Sequence, residues 1–310
     1  MIFIFQVYYD KNMLNFVYDG KQASMKFFSM GNYLPTGHVG TVKPNNSSYI
    51  INIQTTLPFK IQKVTKNNRD ALFPLLKSNL QKQVRRQIIE AVATCEIMLE
   101  LNDFETLRRL CIIAAEDVEI TTETSVIAWL MAATSKGYVM SQKDKQFVLM
   151  YVTNLVRCSS YIEPDHDERN FSLENIMDSD MNQKEILAGI YLRSCYGGLE
   201  GDVPMYINAC YHAFCNGLRT FSDIKIPETS LDFHPACVDF HIYPNLCDLI
   251  SKDTGIDSTI IRKTIWVCSS GINNRKINDN LNDQKIWLMI KRSFDLHTLS
   301  YLSKIIKMYF

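Results

Sequence analysis

The sequence predicts a mainly α, α+β fold: a small antiparallel β-rich N-terminal part followed by a helical-bundle body. Three observations predict it. Apolar and polar residues alternate with a period of two up to about residue 66. From residue 67 the apolar spacing changes to three and four, and the connections between the later periodic runs are short. A chain of 310 residues with 46% hydrophobic and 21% charged side chains is long enough for two packed cores and argues against overall disorder.

Residues 1–66 are expected to form a β-rich subdomain. The alternation runs through "IFIFQVYY", "LNFVYDGKQASMKFF" and "SYIINIQTTL", punctuated by "DG", "TGHVGT" and "KPNNSS". Residues 67–160 are expected to form a helical bundle. Its first part, "RDALFPLLKSNLQKQVRRQIIEAVATCEIMLELN", reads as one long or two short helices. "NDFETLRRLCIIAAEDVEI" follows, with Asn102 or Asp103 as N-cap. On it, Leu107, Leu110, Cys111, Ala114, Ala115 and Val118 make one apolar stripe, and Glu105 can reach Arg108 and Arg109 for about 0.2–0.5 kcal/mol per pair. The helix "TSVIAWLMAATSKGY" stops at Gly137, and "KDKQFVLMYVTNLVRCSS" completes the bundle. Residues 161–185 read as an acidic loop or linker. A second helical subdomain with a basic C-terminal end fills 186–310, built from "QKEILAGIYLRSCYGG", "VPMYINACYHAFCNGLRTF", "HIYPNLCDLISKD", "DSTIIRKTIWVCSS" and "LHTLSYLSKIIKMYF".

Net charge is zero, so the whole chain makes no electrostatic case for nucleic acid. The distribution is uneven. Residues 161–250 hold 15 acidic and 5 basic side chains, whereas residues 251–310 hold 5 acidic and 10 basic. Nine cysteines, an odd number lying mostly in apolar helical runs, suit free thiols in a reducing compartment. "MIFIFQVYYD" lacks a basic flank and a cleavage site, and no apolar run approaches the ~20 residues of a spanning helix. The expected location is intracellular, cytoplasmic or nuclear, without a membrane partner.

The helix at 105–120 carries its arginines near the start and Glu116 and Asp117 near the end, where the macrodipole disfavours both. Glu116 and Asp117 have no basic residue three or four positions before them; the Arg85–Arg86 pair lining up with them is one solution, and a binding role is the other, which marks Arg85, Arg86, Arg108, Arg109, Glu116 and Asp117 as interaction residues. Residues 75–121, "LLKSNLQKQVRRQIIEAVATCEIMLELNDFETLRRLCIIAAEDVEIT", resemble the helical collar of replication-associated recombination ATPases of the MgsA/RarA type. The matching residues are Arg108, Arg109, Ile112, Ala114, Glu116 and Asp117. The resemblance implies an oligomerising helical collar used at replication forks. No G-x-x-x-x-G-K-[ST] occurs, so the phosphate cradle for ATP hydrolysis is missing. What the resemblance implies is a collar without a motor, acting as a scaffold or adaptor and taking no cofactor.

Three further groups carry chemistry. In "IRKTIWVCSSGINNRKI", Arg262, Lys263, Ser269, Ser270, Asn273, Arg275 and Lys276 surround a serine–glycine turn whose hydroxyls, N–H groups and cations are the candidate phosphate contacts. A helix end capped by glycine and flanked by basic residues accounts for the same letters. "LDFHPACVDFHIYPNLC" gathers His234, Cys237, His241 and Cys247, but without the two close pairs of a structural zinc site, so no metal is expected. "VDFH" resembles the corner of helix-hairpin-helix DNA glycosylases, which would make Asp239 the catalytic carboxylate and His241 its neighbour. The glycine-rich hairpin is missing, and Asp239 as a helix N-cap is the alternative.

The expected function is therefore a non-catalytic accessory role in DNA or RNA metabolism, replication or repair, with the helices as scaffold and the basic turn on nucleic-acid phosphates. Protein partners or a homo-oligomer are expected too. The alternatives are a structural or assembly protein, viral for example, with protein contacts only, and a glycosylase-like repair enzyme centred on Asp239.

Overall fold

The computed structural model describes five strands within residues 2–55 by their backbone, and residues 71–309 apart from 162–170, 199–200, 223, 273–274 and 276–280. Side chains are described from residue 71, with 281 and 282 left aside. The described chain is mainly helical. It divides into two compact units, neither continuous in sequence: residues 1–66, 102–151 and 162–224 form the first, and 67–101, 152–161 and 225–310 the second. The helices expected to form one bundle over 67–160 are thus shared between the two. Among the described residues no helix is long and apolar enough to cross a membrane. All nine cysteines are free thiols.

In the first unit, strands β1 (Ile2–Tyr8), β2 (Met13–Asp19), β3 (Ala23–Met25), β4 (Gly37–Val42) and β5 (Ile50–Thr55) pair in the order β3-β2-β1-β5-β4. The pairing departs from the antiparallel expectation at its centre. Strands β1 and β5 run parallel, Ile2 opposite Ile50, while the other pairs are antiparallel. A parallel pair needs a long crossover, here the chain from β2 to β4.

Helices α3 (Asp103–Asp117), α4 (Thr124–Thr134), α7 (Lys184–Tyr191) and α8 (Asp202–Asn216) pack as α3 on α4 and α8, and α7 on α4 and α8. The side chain of Asn102 accepts the N–H of Glu105 and so caps α3. The whole stripe from Leu107 to Val118 is buried. Helix α4 is apolar all round, which demands burial on every side, and Ile127 through Ala133 receive it. The expected acidic loop contains a short helix, α6 (Leu173–Met177), because Leu173 and Ile176 turn inward and Phe171 packs on Tyr191, Tyr211 and Phe214. Its stretch 162–170 lies outside the described residues.

In the second unit α1 (Leu72–Arg85) and α2 (Ala91–Leu101) resolve the one-or-two-helix reading as two, broken where Gln87 takes φ +58°. Leu72, Leu75, Leu76, Leu80 and Val84 bury one face of α1. Its polar face is buried as well. Asn79 donates to Thr94 Oγ1 at 3.1 Å and to Asp232 O at 2.7 Å, and Gln83 donates to Asp232 O at 2.9 Å. These bonds satisfy groups that would otherwise be costly to bury. Helices α9 (Leu246–Thr254), α10 (Ser258–Ile265) and α11 (Leu281–Tyr309) enclose a core of Phe240, Leu246, Ile250, Ile261, Ile265, Ile290 and Phe294. Helix α11 has 29 residues and starts well before the predicted "LHTLSYLS" run. Helix α5 (Gln142–Arg157) contributes residues to both units.

Candidate functional site

Helix α10 carries the predicted phosphate-binding run and starts on a firm cap: the Asp257 carboxylate accepts the N–H groups of Thr259 at 2.9 Å and Ile260 at 3.3 Å. Ile261, Thr264 and Ile265 face the core, which leaves Arg262 and Lys263 outside. Residues Trp266–Ser270 then wind as a π-helical turn, closed by the Gly271 N–H on Trp266 O at 2.7 Å. Glycine is required there, because a Cβ on residue 271 would lie 2.6 Å from that carbonyl oxygen. Trp266 follows Arg262 by four residues and Lys263 by three, so one helix face presents all three. Trp266 is 43% exposed.

Behind Trp266 stands a buried ionic group. Lys82 Nζ and Arg85 Cζ each lie 5.9 Å from the indole centroid, within cation–π range, and the His241 ring approaches edge-on at 6.1 Å. Lys82 pairs with Asp239 Oδ2 at 3.4 Å, both side chains being buried. Asp239 Oδ1 accepts from the His241 backbone N–H at 2.9 Å and lies 3.1 Å from its ring Nδ1. Burial alone would raise the Asp239 pKa. The hydrogen bonds from His241 and the Lys82 charge outweigh it and lower the pKa to about 2.

The arginines near the turn are structural. Arg85 donates to Ser270 O at 2.7 Å, and Arg86 to Ser269 O and, at 3.3 Å, to Lys82 O. They hold the carbonyl end of the π turn, where a helix end attracts cations. Arg275 does the same for α5, donating to Leu155 O at 2.8 Å, Cys158 O at 3.0 Å and Val156 O at 3.3 Å. Arg262 lies over the Phe240 ring at 4.7 Å, and Lys263 stands 3.8 Å from Asp283.

The structure therefore sorts the predicted residues. Arg262 and Lys263 lie together on the surface with Trp266. Ser269 and Ser270 are buried, a correction to their reading as phosphate ligands: the π turn tucks them inward. Arg275 is drawn to the end of α5 because uncapped helix carbonyls are the stronger local claim on a guanidinium. Asn273 and Lys276 lie outside the described residues. Asp239 caps no helix; it closes the turn 239–243, and Asn245 holds the N-cap position of α9. The Arg85–Arg86 pair bonds the π turn, and Arg108 bonds Glu105 at 3.5 Å. Arg109 is half-buried, and Glu116 and Asp117 both have partners.

His234 accepts the Ala236 N–H on Nδ1 at 3.1 Å, and burial together with the Arg86 charge lowers its pKa to about 4, so it is neutral near pH 7. Among the described residues no three His, Cys, Asp or Glu side chains gather where a metal ion could sit. Sequence reasoning missed Trp266 and Lys82. The spacing Arg262–Lys263–Trp266 was the available signal for the first. Compared with protein-family models, curated proteins and solved structures, the chain finds no match in any of the three.

Proposed function

We propose that the chain is a non-catalytic accessory protein of DNA or RNA metabolism that contacts single-stranded nucleic acid through α10 and the π turn. The observation that supports this reading is the exposed indole of Trp266 on the same face as Arg262 and Lys263. Bases stack on aromatic rings whatever their sequence, and cations beside the ring meet the phosphates. The resemblance of residues 75–121 to a helical collar is what suggests the scaffold part of the same role, in replication or repair.

The test is titration of the whole protein with a labelled oligothymidylate, read by anisotropy at several salt concentrations. Trp266→Ala should weaken binding by about 1–3 kcal/mol, the worth of one stacked base. Replacing Arg262 and Lys263 with alanine should flatten the salt dependence by about 0.7 for each phosphate no longer neutralised. Unchanged affinity in Trp266→Ala overturns the proposal.

A purely protein-binding role is the second reading, and the exposed apolar residues of α11 favour it. A base-excising reaction at Asp239 has the least support, since His241 and Lys82 occupy its two oxygens.

A further inference from the structure

Helix α11 turns one face inward through Ile290, Phe294, Thr298, Leu302 and Ile305. Its opposite face is unusually apolar for a surface. Leu288 is 75% exposed, Met289 66%, Leu296 66% and Leu299 51%. At 3.6 residues per turn these four fall within about 100° of the helix circumference. Arg292 sits in their middle, four residues after Leu288, three after Met289, four before Leu296 and seven before Leu299. It is exposed and makes no ion pair among the described residues. Lys285 and Lys307 continue the same stripe in both directions. The nearest acid, Asp295, lies at its edge and pairs with Lys291 at 2.5 Å.

We infer that this face is the docking site for an acidic amphipathic helix of a partner protein. An apolar stripe read at three and four spacing is the surface onto which another helix lays its own apolar face. The central cation selects the occupant. A second copy packed about the middle of the stripe would bring Arg292 against Arg292, and like charges face to face at an interface are strongly unfavourable. A bilayer would have to take up the guanidinium among the acyl chains, because the charge lies inside the apolar stripe and not on its flank. A partner helix with leucines around a central glutamate satisfies both features: the four apolar side chains lose water, and the guanidinium gains a carboxylate in bidentate reach. The inference does not depend on nucleic-acid contact at Trp266, which lies on a different helix.

Two labelled synthetic peptides of about 18 residues test it against the whole protein by anisotropy. Both carry leucines at i, i+3, i+4 and i+7 with acidic flanks, and they differ only in a central glutamate or lysine. The glutamate peptide should bind, the lysine peptide roughly tenfold or more weakly. Arg292→Glu should reverse that preference, which a merely unfolded variant cannot do, and Leu296→Ser should weaken both. Equal binding of the two peptides, or no binding, overturns the inference. So does a dimer in sedimentation that Leu296→Ser dissolves, which assigns the face to a second copy. Capture by phosphatidylserine vesicles, lost in Leu296→Ser while neither peptide binds, overturns it in favour of lipid.

Discussion

Asp239 shows how a buried charge is kept charged. Its pKa of about 2 lies below the ordinary 3.8, so the folded form binds protons less readily than the unfolded one. The stability this contributes is fully present above about pH 4 and is lost as the pH falls towards 2, amounting to about 2 kcal/mol. Acid titration of the urea midpoint should show that loss in the wild type and lack it in Asp239→Asn. At neutral pH the single change strands Lys82 in the interior and should cost about 3–5 kcal/mol, with the double variant Lys82→Met, Asp239→Asn recovering much of it. A double variant no more stable than the single one refutes the pairing. None of this could be read from "VDFH". Asp239 and Lys82 are far apart in sequence, and only folding brings a lysine from α1 to the aspartate.

At the scale of elements, what was legible depended on how clearly one face was apolar. The stripe of α3 and its Asn102 cap came straight from three-and-four spacing and a capping side chain. The start of α11 did not. Leu288 and Met289 are apolar on the solvent side while Ile290 is apolar on the core side, so the period disappears within the first half of the helix. The same exposed leucines that hid the helix form its candidate docking face. The π turn was equally hidden, since "WVCSSG" does not announce an i to i+5 bond. Only a Cβ placed against Trp266 O explains Gly271. Gly271→Ala should unwind the turn at a cost of about 1–3 kcal/mol, and should weaken oligothymidylate binding by displacing the indole. Retained affinity together with wild-type stability would show that the turn tolerates a side chain.

For the whole molecule, local periodicity identified helices but not their companions. Spacing groups residues 71–101 with the helices that follow them, yet many of their side-chain partners lie beyond residue 224. Asn79 and Gln83 bond Asp232, Arg85 bonds Ser270, and Lys82 pairs with Asp239. Side-chain bonds spanning more than a hundred residues leave no trace in a window of eighteen. A chain truncated after residue 224 should therefore expose α1 and α2, and limited proteolysis should cut within 71–101 while sparing those residues in the full chain. Equal protection of 71–101 in both chains would show that these helices find their core elsewhere.

The discontinuity of the second unit sets a timetable on the ribosome. Helices α1 and α2 can pack on each other early, but Asp232, Asp239 and Ser270, which bond the polar side of α1, are translated more than a hundred codons later. At about 5–20 residues per second that delay is roughly 10 s, far longer than a helix or a hairpin needs to form. Throughout the interval the side of α1 that carries Asn79, Lys82, Gln83 and Arg85 is open to other nascent chains, and it closes only when the later helices leave the exit tunnel.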